Sequence, residues 1–277
     1  MKKILVTGAN GMLGQDLCPI LEQNGYSVVQ TDRDNLDITK LEAVESVLTA
    51  EKPDFIIHCA AYTAVDKAET EIELAYLINE KGSENLAIVS GKLGIPIVCV
   101  STDYVFDGTK VGAYVPTDKT NPQSVYGASK LAGEIAIQKN NPKHYIARTS
   151  WLYGIFGNNF VETMIKLSQT NPELKVVNDQ VGCPTWTVAL SNALVSLIKE
   201  NKPFGIYHTC GSGNTSWHGF AEEIFRLSNI NIKVNPCSTD EFPRPAKRPM
   251  NSIMENNGIC PDWKESLSNY IKLRSAK

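Results

Sequence analysis

The first half of the chain alternates short apolar runs with longer stretches of mixed polarity. Ile4–Thr7 is a short apolar run that ends at a glycine. Tyr26–Thr31 is closed by Asp32, Asp54–Cys59 reads DFIIHC, Ile95–Val100 reads IPIVCV, and Tyr145–Thr149 ends the series. Runs of this length without polar alternation are strands buried on both faces. The segments between them predict helices running to about Asn24, over Leu41–Ala50, over Ala75–Gly91 and over Gln123–Lys139. Strand alternating with helix implies an α/β fold with a parallel sheet, doubly wound by right-handed crossovers in the Rossmann manner.

After about Gly154 the rhythm breaks. Prolines cluster at Pro236, Pro243, Pro245 and Pro249, and the pieces that remain periodic are 186–200, 205–210 and 216–228. The expectation is a Rossmann domain over 1–154 and a smaller C-terminal α/β lobe over 155–277, parts of which return to the first domain. No repeat, low-complexity tract or flexible linker separates them, so the lobes should pack together. The cleft outside the carboxyl ends of the strands is the expected ligand site.

Composition narrows the function. A chain of 277 residues buries a sizeable core without disulfides or metals. Lys and Arg total 27 against 30 Asp and Glu, a formal charge of -3, which argues against nucleic acid as a partner. Seven dispersed cysteines with no CxxC argue for reduced thiols and against a zinc site. No apolar run is long enough for a membrane span, and none resembles a signal peptide. A cytoplasmic protein is expected.

Gly8, Gly11 and Gly14 follow the first strand and open the first helix, which is the context a dinucleotide fingerprint requires. There the backbone approaches a pyrophosphate closely, and the free N–H groups of the helix terminus favour the anion. Spacing is GxxGxxG rather than GxGxxG. Asp32 and Arg33 close the second strand side by side. An acid there reads the ribose 2′-hydroxyl of NAD, and an arginine accommodates the 2′-phosphate of NADP. Either cofactor is open, and so is an ordinary solvated turn.

Tyr126 and Lys130 lie four residues apart on a predicted helix and so share a face. An ammonium beside the phenol would lower the tyrosine pKa and fit it for proton transfer. Ser101, Thr102 and Asp103 stand at the end of the IPIVCV strand, where active groups of such sheets gather. Taken singly, a YxxxK pair can be mere surface helix and a strand-end hydroxyl a mere turn. In this order and spacing the three pieces form a constellation.

That constellation resembles the extended short-chain dehydrogenase/reductases, and within them the dTDP-4-dehydrorhamnose reductases. The matching stretches are AAYTAVDKAE (Ala60–Glu69), STDYVFDG (Ser101–Gly108), VYGASKLAGE (Val125–Glu134), RTSWLYG (Arg148–Gly154), NDQVGCPT (Asn178–Thr185) and RPMNS (Arg248–Ser252), which cover nearly the whole chain. The resemblance implies NADPH or NADH as cofactor and a dTDP-linked 4-keto-6-deoxy sugar as substrate. It places Gly11, Met12 and Leu13 on the pyrophosphate, Asp32 at the ribose, Asp37 and Ile38 near the adenine, and Ala61, Tyr62 and Thr63 along the cofactor channel. Tyr126 becomes the proton donor, Lys130 its partner and a ribose ligand, and Thr102 the third member. Thr102, Asp103 and Trp151 would touch the sugar, with Thr63, Val65 and Tyr104 beside them. Trp151 also reads as a core aromatic, and 66–69 as a helix start with a solvated face. Asn178, Asp179 and Gln180 read as a polar turn or a substrate-lobe loop, and His58 and His208 as satisfied core histidines.

Some members of the family hold Mg2+ through glutamates at a dimer interface, one of them soon after the glycine turn. Here Asp16 occupies that position and the tail Tyr270–Lys277 has no acidic residue, so no metal is expected, and a monomer or weak homodimer is. Two rivals share the fold. Sugar-nucleotide 4,6-dehydratases carry an acid just after the Thr-Asp pair, where this chain has Tyr104, and epimerases regenerate their bound NAD. A non-catalytic NADP-binding regulatory subunit would not need the complete Thr102, Tyr126 and Lys130 set.

Overall fold

In the computed structural model residues 1–275 are described; the last two residues of the tail read above, Ala276 and Lys277, lie outside them. The chain begins with β1 (Lys3–Thr7), α1 (Met12–Gln23), β2 (Ser27–Thr31), α2 (Leu41–Glu51) and β3 (Phe55–His58). Two short helices follow, α3 (Val65–Ala68) and α4 (Ile72–Tyr76), then α5 (Ser83–Leu93), β4 (Ile97–Thr102), α6 (Val125–Asn140) and β5 (His144–Thr149). The helix expected over Ala75–Gly91 starts earlier and is interrupted: Leu77–Gly82 forms a π-helical turn between α4 and α5. Gly82 sits there against Ile38, where a Cβ would lie 2.6 Å from the Ile38 Cδ1.

Beyond β5 come β6 (Leu152–Tyr153), α7 (Phe160–Ser168), β7 (Glu173–Val177), β8 (Val181–Gly182), β9 (Thr185–Trp186) and α8 (Thr187–Lys199). The last part holds β10 (Gly205–His208), β11 (Thr215–Ser216), α9 (Trp217–Leu227), β12 (Lys233–Cys237) and α10 (Trp263–Ser275). The central sheet has the order β10-β5-β4-β3-β1-β2, and every pair in it is parallel. The order reverses between β1 and β3, which is where a doubly wound sheet opens its ligand crevice.

Period-two alternation divides the strand residues between two layers. Ile4, Val6, Ile57 and Val98 face α1 and α8, while Leu5, Ile56, Ile97 and Ile146 face α2, α5 and α6. The pieces 186–200 and 205–210, read above as parts of the smaller lobe, belong instead to the central layers. Leu190, Leu194, Leu197 and Ile198 on α8 recur at helical spacing and bury against α1 and the sheet, and β10 pairs with β5 as the sixth strand. Position along the chain is a poor guide here, because α1 alone leaves part of one sheet face uncovered. The lobe proper packs α7, α9 and α10 around Tyr153, Val161, Phe220, Ile224, Trp263 and Tyr270. Among the described residues no helix is long and apolar enough to cross a membrane.

Candidate active site

The chain leaves β1 through Gly8 at φ 67°, and a Cβ on Gly8 would fall 2.8 Å from the backbone nitrogen of Ala60. The turn is thus pressed against the segment leaving β3, at the switch point. Gly14 lets α1 lie on the turn, since a Cβ there would be 2.4 Å from the Gly8 carbonyl oxygen. At the N-cap of α1, Gly11 supplies no side-chain hydrogen bond, and the first turn has no acid. That terminus therefore keeps N–H donors and its positive dipole end for an outside anion, and a dinucleotide pyrophosphate fits it. Asp32 ties the turn to β2, accepting from the Asn10 N–H at 3.0 Å and the Arg33 N–H at 2.7 Å. Arg33 is exposed beside it. Asp37 accepts from Thr39, which holds its carboxyl below the usual range, while Ile38 is buried and its carbonyl accepts from Asn85 at 2.9 Å.

Asn79, in the π-helical turn, fixes the segment 61–63 and has no counterpart in the sequence reading. Its Oδ1 accepts from the Tyr62 N–H at 2.8 Å, and its Nδ2 donates to the Tyr62 carbonyl at 3.1 Å and the Ser129 hydroxyl at 2.9 Å. An asparagine inside a helical stretch was the one available signal, because its short amide competes with the backbone there. Thr63 is exposed and Val65 opens α3.

Thr102 ends β4. Its hydroxyl donates to Asp103 Oδ1 at 2.9 Å and accepts from the Tyr104 N–H at 3.2 Å. Opposite, α6 is capped by the Ser124 hydroxyl on the Gly127 N–H at 3.2 Å, and Glu69 accepts from the Val125 N–H at 2.9 Å. Gly127 allows the first turn to close on Tyr104, whose carbonyl oxygen would lie 2.2 Å from an added Cβ. Tyr126 comes to Thr102 and packs edge-on to Tyr104 at 5.4 Å. Burial pushes the Tyr126 phenol up to about 12, against the hydrogen bond with Thr102, which lowers it. The expected acidification by Lys130 is absent: the buried ammonium donates to the Val100 carbonyl at 2.8 Å instead. Burial also raises the Asp103 carboxyl to about 6, with the Ser252 and Thr102 hydroxyls pulling the other way.

Trp151 follows β5 with φ 47°, a conformation that a bulky residue adopts only where its surroundings enforce it. Its indole stacks on Trp217 at 3.5 Å and 6°, and Trp217 in turn donates to Gln180 at 3.2 Å. A Cβ on Gly182 would meet Trp151 Cε2 at 2.5 Å.

Residues 66–69 do lie at a helix start, α3, with Lys67 exposed, but Asp66 does not face water. Asp66 receives both terminal nitrogens of Arg248 and the Ala246 N–H, so α3 grips the loop that follows β12. The 178–180 stretch is knit into the lobe by Ser216, Thr239 and Trp217. His58 is satisfied by Thr7 and Ser83, and burial holds it down to about 3. His208 is not satisfied in that way: neither ring nitrogen makes a hydrogen bond of normal geometry among the described residues. Its ring stands edge-on to Phe106, and burial with the Arg148 cation lowers it to about 4. Asp16 takes the Thr187 hydroxyl, and among the described residues no three His, Cys, Asp or Glu side chains converge on a metal site. A cavity of about 590 Å³ between α6 and residues 116–120 contains none of these candidate groups.

Residues 1–274 match the model of the RmlD substrate binding domain. The spore coat polysaccharide biosynthesis protein SpsK of Bacillus subtilis (strain 168) is 40% identical, over 100% of this chain and 99% of its own. A dTDP-4-dehydrorhamnose reductase from Clostridium acetobutylicum ATCC 824 superposes with a TM-score of 0.96 at 49% identity, covering 99% of both chains. The dTDP-4-dehydrorhamnose reductase of Bacillus anthracis str. Ames, solved in complex with NADP, gives 0.95 at 42% identity, over 99% of this chain and 100% of that one.

Proposed function

The chain belongs to the family of the RmlD substrate binding domain, and from that premise we propose that it reduces the 4-keto group of dTDP-4-dehydro-L-rhamnose to give dTDP-L-rhamnose at the expense of NADPH or NADH. The observation that carries the reading is the meeting of Thr102 and Tyr126 at the mouth of a crevice whose glycine turn leaves a helix terminus open to a pyrophosphate. Bound reduced nicotinamide supplies the hydride.

The chain's own groups do the rest. The first turn of α1 and Gly11 hold the pyrophosphate, and Asp32 with Arg33 reads the adenosine ribose. Tyr126 gives its proton to the carbonyl oxygen as negative charge develops there, and the Thr102 hydroxyl turns from Asp103 to donate to the same oxygen. Burial keeps the phenol protonated until that charge appears, which suits a donor better than a base. Lys130, one turn along α6, would hold the ribose by leaving the Val100 carbonyl to which it donates here. Trp151 and Asp103 line the sugar. The lobe over 155–277, apart from α8 and β10, serves the sugar nucleotide. We place the enzyme in the cytosol, as a monomer or weak homodimer; its seven cysteines are all free thiols.

Purified protein given dTDP-4-dehydro-L-rhamnose should oxidise one reduced nicotinamide per product. Conversion without net cofactor oxidation would support a dehydratase or epimerase, and binding without turnover a regulatory subunit.

A further inference from the structure

Behind the Thr102 and Tyr126 pair lies a charged group that the reaction does not consume. Glu134 on α6 and Arg148 on β5 form an ion pair whose side chains are 1% and 3% exposed, with Arg148 Nη2 2.7 Å from Glu134 Oε2 and its Nε 2.9 Å from Oε1. The Ser101 hydroxyl donates to the same Oε1. Arg148 also lies over the ring of Phe106, 5.2 Å from its centroid. Such a pair is expensive to bury, and apolar residues of similar volume often stabilise a fold as well or better. Its placement is what requires explanation.

Three registers converge on it. Glu134 stands four residues after Lys130 and eight after Tyr126, so all three share one face of α6. Ser101 immediately precedes Thr102, and in the sheet it is the register partner of Arg148. Phe106 ends the short turn that carries Asp103 and Tyr104. Glu134 thus joins the helix of the phenol to the strand of the hydroxyl. The bidentate fork of Arg148 fixes the direction as well as the distance of that join.

We propose that Ser101, Glu134 and Arg148 are positioning residues: their buried network sets the height of α6 against the end of β4 and so the approach of Tyr126 to Thr102. The inference rests on the reading of Tyr126 and Thr102 as the reacting pair. Small displacements at a reacting centre are costly to rate, so the network acts on kcat far more than on folding.

The experiment uses full-length protein and compares Glu134→Gln, the apolar double variant Glu134→Leu with Arg148→Met, and Ser101→Ala. Thermal midpoint, kcat, both KM values and the ¹⁹F resonance of 3-fluorotyrosine placed at position 126 are measured. The fluorine signal is read without substrate or cofactor, so it tests the network even if the assigned reaction fails; a wild-type protein without turnover defeats the functional reading alone. The double variant should fold with a midpoint near the wild type. Its kcat should fall at least about tenfold with cofactor KM changed less than about threefold, and its fluorine resonance should move. Ser101→Ala should lower kcat by about threefold or more with little change in midpoint. Should Glu134→Gln or the double variant fail to fold, Ser101→Ala decides alone. A kcat within twofold of wild type and an unmoved resonance, in the double variant or in Ser101→Ala standing alone, overturns the proposal.

Discussion

The Lys130 ammonium donates to the Val100 carbonyl, 2.8 Å away, and so lies two residues back along β4 from Thr102. In that position it does not acidify the phenol it was expected to serve. Its contribution to chemistry is therefore separable from that of Tyr126. Tyr126→Phe keeps the ring and its packing on Tyr104 and removes only the hydroxyl. General acid catalysis contributes about 10²–10⁴-fold, so kcat should fall by that order while cofactor binding survives. Lys130→Met should lower kcat and raise cofactor KM together. Steady-state kinetics on both proteins checks this; near wild-type kcat in Tyr126→Phe would remove the proton donor from the scheme.

Arg33 is exposed at the end of β2 while Asp32 is engaged by two backbone N–H groups. Both NADH and NADPH should support turnover, and Arg33→Ala should weaken NADPH more than NADH. The ratio of the two kcat/KM values is the readout, and an unchanged ratio would show that Arg33 does not read the 2′-phosphate.

The clamp between Asp66 and Arg248 joins α3 to the loop after β12. Both groups are partly buried and the contact is two-pronged, so Asp66→Asn should cost about 1–3 kcal/mol in urea unfolding. It should also raise KM for the sugar nucleotide more than KM for NADPH. Unfolding midpoints indistinguishable from wild type would mean that solvent replaces the clamp without loss.

Burial raises the Asp103 carboxyl to about 6 from an unfolded value near 4. As pH falls through that window the native protein takes up a proton that the unfolded chain does not yet bind, so stability rises toward acid. The contribution is complete below about pH 4 and lost above about pH 6, on the order of 2 kcal/mol for this group alone. Asp103→Asn should be more stable than wild type at neutral pH and should show a flatter profile between these limits. Chemical denaturation at several pH values measures it; parallel profiles would contradict the shift.

Strands betray themselves in this chain because both faces of the sheet are covered, leaving uninterrupted runs such as IPIVCV that no helix period explains. The glycine turn was legible for a related reason: three glycines in seven residues answer to close backbone approaches at Ala60 and Gly8. What was hidden depends on partners distant in sequence. Asp66 meets Arg248 across 182 residues, and an acid at a helix start looks the same whether it faces water or a guanidinium. Lys130 was placed on the correct face, but which acceptor its flexible stem reaches is a matter of tertiary geometry. Trp151 gives no local hint of its positive φ, since Gly182 and Trp217, which confine it, come from β8 and α9.

The return of α8 and β10 to the central sheet has a consequence for how such a protein can be divided or recombined. A polypeptide ending at Gly154 would lack the edge strand beside β5 and would expose the apolar flank of α1 that Leu190, Leu194 and Ile198 cover. The smaller lobe is stitched through the central sheet rather than appended to it. It cannot be exchanged between relatives as a terminal cassette; a graft of the lobe would have to exchange the stretches before α8 and after β10 together, leaving the stitch in place.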